Sequence, residues 1–294
     1  MTHGDDLEAI GPRILITGAT GHVGGELLSL LVARGLSVRA MTRRPEAIAP
    51  HPLVQVARGD FTDDASLDAA LSGIEAVFAM TAEPMFSAPA PTHDLALARA
   101  CRRAGVKRVV KLSALGGGGT DPSSPIATWV RASEAPVIDC GIPWTLLRPG
   151  RFMSNVLGWA PMIKRGEVSV PLARRRTASI DPADVARAAA LALTESGHAQ
   201  RTYELSGPES LTPADEVAIA SRILGRPLRL NALSGEAARA GMLRYGMPPH
   251  VVDAILADED GEHGAEVLPT IAELTGRPPR RFEDWFTAQR AAFE

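Results

Sequence analysis

Apolar residues recur along this chain in two alternating rhythms. Short, nearly unbroken apolar runs at 14–17, 37–41, 54–57, 76–80, 108–112 and 144–148 have the length of strands buried on both faces. Between them, apolar residues return every three or four positions, as at Val23, Leu27, Leu28, Leu31 and Val32, and again within 64–71, 93–104 and 126–140. Strands alternating with helices predict an α/β fold, a doubly wound parallel sheet covered on both faces. Beyond Asn155 the rhythm loosens. Residues 168–170 and 177–180 are short and strand-like. Asp181-Pro182 opens a helix with Asp184 as its capping-box partner, and 202–205 reads as a strand. Thr212-Pro213-Ala214-Asp215 opens a further helix that stops at Gly225; 228–233 is strand-like, and the remainder, including Tyr245, reads as helical. The expected division is therefore 1–155 for the core of the sheet. Residues 156–294 form a mixed region that adds late core elements and a smaller, C-terminal α+β subdomain for substrate.

The first strand runs into Thr17-Gly18-Ala19-Thr20-Gly21-His22-Val23-Gly24-Gly25. Gly18 lets the chain turn sharply, Gly21 lets backbone approach a diphosphate, and Gly24 lets the next helix lie close on its strand. The helix N-terminus then aims free N–H groups at an anion. That makes a nucleotide-binding loop, with Gly18, Thr20, Gly21, His22, Val23 and Gly24 as candidate contacts. The second strand ends in Thr42-Arg43-Arg44-Pro45. A carboxylate there would accept the ribose hydroxyls of NAD, whereas arginines pair with a 2′-phosphate, so NADPH is the expected cofactor and Arg43 the better of the two candidates. Asp60 and Phe61 fall where an adenine ring could rest, and Thr81 lies at the carboxyl end of the fourth strand, where a ligand crevice opens. The loop 85–91, rich in alanine and proline, reads either as a cover for a ligand or as a plain surface connection. Ser113 stands at the mouth after the fifth strand, and Phe152, Met153 and Asn155 follow the sixth.

Composition narrows the partners. The 294 residues carry a formal net charge of −3, and the longest basic run is Arg174-Arg175-Arg176, so nothing marks a nucleic-acid or membrane surface. Cys101 and Cys140, both in expected helices, read as reduced, buried thiols, too few for a disulfide framework or a zinc site, and no metal is expected. Residues 1–13 are polar and acidic, unlike a signal or transit peptide, and no segment is apolar enough to span a bilayer. The expectation is a cytoplasmic protein acting on a small molecule, with a homodimer left open.

The ordered set of motifs is more specific than any one of them. It comprises the glycine turn at 17–25, Arg43-Arg44, Gly59-Asp60-Phe61, Leu112-Ser113-Ala114-Leu115-Gly116, and Leu147-Arg148-Pro149-Gly150 with Phe152, Met153 and Asn155. Ser179-Ile180 with Asp184-Val185-Ala186, and Glu204-Leu205-Ser206-Gly207-Pro208, complete it. In this order it resembles the NmrA-like branch of the short-chain dehydrogenase/reductase superfamily, an extended, atypical form of that fold. The resemblance implies a Rossmann-type sheet, NAD(P)H at the glycine turn, and substrate between the carboxyl ends of the strands and a smaller C-terminal subdomain. It also shows a departure. Catalytic members of the superfamily carry Tyr-x-x-x-Lys on the helix after the fifth strand, and here those positions are Ile126 and Val130, in a helix without tyrosine or lysine. Ser113 matches the superfamily's serine position, which leaves a catalytic reading beside that of a loop-bonding serine.

Three functions remain open. In the first, NADPH passes hydride to an electron-poor acceptor, a quinone, an azo compound or a conjugated aromatic, whose reduced product needs no positioned acid. Its pocket would draw on Thr81, Trp129, Phe152, Met153, Asn155 and Tyr245, and Tyr245 is a substitute proton donor if the C-terminal region brings it over the nicotinamide. The second is a regulator that senses NAD(P) and binds a protein partner without chemistry. The third is a natural-product tailoring reductase or isomerase.

Overall fold

The computed structural model describes residues 13–81, 83, 91–118, 124–257 and 264–294. Among these, nine strands occur in chain order: β1 (Ile14–Thr17), β2 (Val38–Thr42), β3 (Val54–Arg58), β4 (Ala76–Ala79), β5 (Arg108–Leu112), β6 (Trp144–Pro149), β7 (Glu167–Val170), β8 (Arg201–Leu205) and β9 (Arg229–Ala232). Seven build one parallel sheet in the order β3-β2-β1-β4-β5-β6-β8, while β7 and β9 pair in parallel as a second, small sheet. This is the Rossmann-like α/β architecture that the alternation of strands and helices predicts.

Side chains of the central strands alternate between two cores. Ile14, Ile16, Phe78 and Val110 point to one face, where α1 (His22–Ala33) and α6 (Pro182–Thr194) pack, and Leu15, Val77 and Val109 point to the other. That second face carries α2 (Asp64–Leu71), α3 (His93–Ala104) and α4 (Pro125–Asp139). The buried alanines of α6, such as Ala186, Ala189 and Ala190, let it lie close along α1. A third core joins Met153, Val156 and, on α5 (Ala160–Lys164), Ile163 to Val168 and Val170 of β7. To these it adds Val217 of α7 (Pro213–Leu224) and Phe282, Trp285 and Phe286 of a C-terminal helix (Phe282–Ala288).

Several expectations change in detail. Residues 177–180 do not enter a sheet: Thr177 makes one antiparallel bridge to Leu211 and Ile180 one parallel bridge to Phe152, because β8 already occupies the edge of β6. Asp181 caps α6 through the Ala183 N–H, but Asp184 is not its box partner; its buried carboxylate pairs with Arg187 and accepts the Arg280 N–H instead. Thr212 and Asp215 do form a reciprocal capping box, whose bonds from Thr212 hold Asp215 below the usual carboxylate range. Cys101 is buried, which pushes its thiol up to about 12, whereas Cys140 lies just past α4 and is only half-buried. The terminal stretch 1–12 and residues 85–90 of the expected covering loop lie outside the described residues. Among the described ones, no helix is long and apolar enough to cross a membrane, and no group of His, Cys, Asp or Glu could hold a metal ion.

Candidate functional site

The carboxyl end of β1 turns at Gly18, whose φ of +65° favours glycine, and the Gly21 N–H closes the turn on the Gly18 carbonyl at 2.9 Å. Gly21 then stands as the N-cap of α1 with no side-chain cap, leaving the first N–H groups of the helix for a ligand. The two later glycines do different work. A Cβ on Gly24 would overlap the Gly18 carbonyl oxygen and come within 2.7 Å of its carbon, so Gly24 is where helix and turn touch. A Cβ on Gly21 would meet only the Gly18 oxygen, at 3.3 Å, so what Gly21 keeps clear is space outside the protein. Thr20 and His22 are exposed beside it, whereas Val23 is buried in the core, so of Val23 only the backbone can face a ligand.

A cleft of about 120 Å³ continues from this turn over the ends of β2 and β3. Gly18, Thr20 and Met80 form one side, Met41, Thr42, Arg43 and Arg44 the second, and Gly59, Asp60, Phe61 and His93 the third. The Phe61 and His93 rings stack with centroids 5.2 Å apart, making a flat aromatic wall at the N-terminus of α3. Asp60 accepts the N–H and hydroxyl of Thr62 at 2.9 and 2.8 Å, and these bonds hold its carboxyl below the usual range, as does the nearby positive charge of Arg43. A neighbouring cavity of about 430 Å³ is lined by Arg43, Arg58, Gly59, Asp60, Thr62, Asp63 and Ser66. Arg43 thus borders both hollows, whereas Arg44 lines only the first and ties its backbone N–H to Thr42 Oγ1. Arg58 and His93 join the site without having been legible in the sequence.

On the other side of β4 the polar groups are tied down. Thr81 gives its hydroxyl to Asp94 Oδ1 at 3.1 Å, and Lys111 of β5 reaches the same oxygen at 2.5 Å in a pair whose side chains are 2 % and 3 % exposed. Ser113, immediately beyond β5, donates its hydroxyl to Glu134 Oε1 of α4 at 2.5 Å, and Arg148 of β6 grips the same carboxylate at both oxygens, at 2.9 and 2.7 Å. That grip raises the Arg148 pKa. Arg151, two residues past β6, binds Ser179 and Glu216 and lies over the Trp159 ring, 5.6 Å from its centroid. Burial drives the Glu216 carboxyl above its usual range.

The expected substrate residues are not assembled as a set. Trp129 is half-buried on α4, Phe152 packs at the edge of the main core, and Asn155 is exposed. Met153 is a correction: it is 1 % exposed inside the third core, because the turn after β6 points it inwards. Tyr245 is a second. It follows the last residue of α8 (Gly235–Arg244) and is 93 % exposed, so this conformation does not bring it over the strand ends. A broader groove of about 690 Å³ along α7 and β9, lined by Val217, Leu228 and Leu230, shares none of these groups.

Comparison with known proteins fits this geometry. Residues 18–196 match the model of an NAD(P)H-binding family. A (4-alkanoyl-5-oxo-2,5-dihydrofuran-3-yl)methyl phosphate reductase of Streptomyces griseus is 42 % identical over 286 residues, 95 % of this chain and 99 % of the relative. An NAD(P)H azoreductase of Xenophilus azovorans is 36 % identical over 290 residues, again 95 % and 99 %. Among solved structures, an NADPH-dependent quinone oxidoreductase of Escherichia coli complexed with NADPH superposes with a TM-score of 0.78 at 26 % identity, covering 94 % of this chain and 99 % of that one.

Proposed function

From the premise that this chain belongs to the NAD(P)H-binding family matched over residues 18–196, we propose that it is a reductase passing hydride from NADPH to an activated acceptor such as a quinone or an azo compound. The observation that carries this reading is its near full-length similarity to two reductases, one of them an azoreductase. We place it in the NmrA-like branch on the motifs from the glycine turn to Gly207-Pro208. The cofactor supplies the hydride. The protein's own share is to bind and align: the turn at Gly18 and Gly21 receives the diphosphate, Arg43, with Arg58 across the shared cavity, the 2′-phosphate, and Phe61 with His93 the adenine.

The helix α4 supports the choice of acceptor. It carries Ile126 and Val130 where a tyrosine and lysine would serve a ketone reductase, and Tyr245, the substitute donor, points into solvent. A positioned acid is worth about 10²–10⁴-fold to a ketone reduction, whereas a reduced quinone leaves as a stable anion that water protonates. The Streptomyces relative favours the tailoring reading as a variant of this chemistry. Its name describes an alkanoyl-substituted unsaturated lactone, an electron-poor acceptor too. The test is NADPH oxidation with a quinone, an azo dye, an alkanoyl butenolide phosphate and a simple ketone. Turnover of the first three classes without the ketone is expected; ketone turnover that is robust would refute the assignment, and NADPH binding without any turnover would favour the sensor.

A further inference from the structure

We infer that Ser113 is a fixed hydrogen-bond acceptor for an N–H or O–H donor at the nicotinamide end of the cleft, oriented by Glu134 and Arg148, and that it does not deliver a proton. The inference rests on the reading of an NADPH cleft and says what the other half of that cleft does. Three bonds define the group. The Glu134 carboxylate, 2 % exposed, takes the Ser113 hydroxyl and the Arg148 Nε on Oε1, and the Arg148 Nη2 on Oε2. A carboxylate gripped by arginine can only accept, so the single Ser113 proton is committed to it and the serine's lone pairs are what remains for a ligand. The backbone that carries the hydroxyl is fixed as well, since the Ser113 N–H donates to the Leu147 carbonyl at 2.7 Å and Arg148 is the next residue of the same strand.

Position gives the acceptor its ligand. The adenosine-side groups stand at the ends of β1, β2 and β3, and Ser113 at the end of β5, with β4 between. A dinucleotide lies across the carboxyl ends of such a sheet, so its second half falls beside β5 and β6. Ser113 is half-buried there, not sealed. The donors available at that end are the carboxamide N–H of the nicotinamide, the hydroxyls of its ribose, and an N–H or O–H of the acceptor molecule. Glu134 and Arg148 touch neither; they are positioning residues.

The experiment is binding and steady-state kinetics of Ser113→Ala and Ser113→Thr. NADPH is titrated by fluorescence alongside the reduced 3-acetylpyridine analogue, which has no carboxamide N–H. Ser113→Ala is expected to lose roughly tenfold, the equivalent of about 1.4 kcal/mol, and Ser113→Thr to restore most of it. A loss in NADPH affinity that vanishes with the analogue supports the proposal with the carboxamide as donor, and a loss of equal size with the analogue supports it with a ribose hydroxyl as donor. A loss confined to KM for the acceptor, equal with both cofactors, supports it with the substrate as donor. Unchanged affinities and KM in Ser113→Ala overturn it. So does a fall in kcat alone that carries a solvent isotope effect in the parent protein and loses it in the variant, the mark of a proton donor. Because wild-type NADPH binding is measured in the same series, failure of the cofactor reading shows separately.

Discussion

Replacing Gly21 by alanine separates the space kept for a ligand from the space the fold needs. The backbone at Gly21 has φ −88° and ψ 173°, which any L-residue adopts, and the added Cβ meets only the Gly18 oxygen at 3.3 Å. Exchanging glycine for alanine at an N-cap costs about 0.5–1 kcal/mol. The smaller entropy of the unfolded chain returns about 0.4–1 kcal/mol. The net change should therefore stay within about 1 kcal/mol, a shift in Tm of about 2–4 °C or less. Binding should fare differently. If the Cβ displaces one or two charge-assisted bonds between backbone and diphosphate, NADPH affinity falls by about ten- to a hundredfold per bond. Thermal melts with and without cofactor read both effects. Cofactor at about a hundred times Kd stabilises the parent by about 2.7 kcal/mol, and Gly21→Ala should lose most of that gain. Gly24→Ala is the control, because there the Cβ runs into the Gly18 backbone and should cost about 1–3 kcal/mol or more even without ligand. A Gly21→Ala protein with unchanged Tm and the full cofactor-induced shift would show that the turn holds no diphosphate.

Further outcomes follow from the same structure. Arg43→Ala should weaken NADPH about ten- to a hundredfold and leave NADH nearly unchanged, with Arg58→Ala losing less because Arg58 lines only the second cavity; equal losses for both nucleotides would refute the 2′-phosphate assignment. Lys111→Met should destabilise the fold by about 3–5 kcal/mol in urea titrations by stranding Asp94. Adding Asp94→Leu should recover much of it, and two purely additive losses would mean that the pair is not coupled. Glu216 has a folded-state pKa raised above its ordinary 4.5, so the folded protein holds that proton to higher pH than the unfolded chain. Its contribution to stability is present at low pH and is lost as pH rises from 4.5 through the folded value. Urea midpoints of wild type should therefore fall with rising pH relative to Glu216→Gln, and parallel profiles would contradict the burial argument.

Local signals carried most of the architecture into the sequence. β5 and α3 fall where the apolar runs and helical spacing put them, since a strand buried on both faces needs no distant partner to be recognised. Residues 177–180 misled because a strand also needs a free edge, and β8, from later in the chain, takes it. The glycine turn and Arg43 were legible for the same local reason, being placed by one strand end each. The groups missed are joined across the fold: Glu134 to Arg148, Asp94 to Lys111, and His93 to Phe61. A trace of them was present. Lys111 sits in an apolar strand, and Glu134 lies four residues after Val130 and three before Val137, on the buried stripe of α4. A charge at such a position needs a counter-charge, and the sequence withholds only its address. Tyr245 failed for the opposite reason. Aromatic chemistry suggested a role that its place at a helix end, in water, does not support.

The small sheet of β7 and β9 is made from two separate stretches of chain. After β6 the chain leaves for β7, returns to lay α6 and β8 on the main body, and departs again for α7 and β9. At the second crossing Gly207 passes so close to Ser179 that any side chain would overlap its carbonyl. This part of the molecule is therefore not a cassette. A recombinant chimera exchanging it with a relative needs at least three junctions, and one of them falls at a seam with no room for a scar. Point changes on its surface leave both crossings intact, whereas shuffled segments have to cut through them.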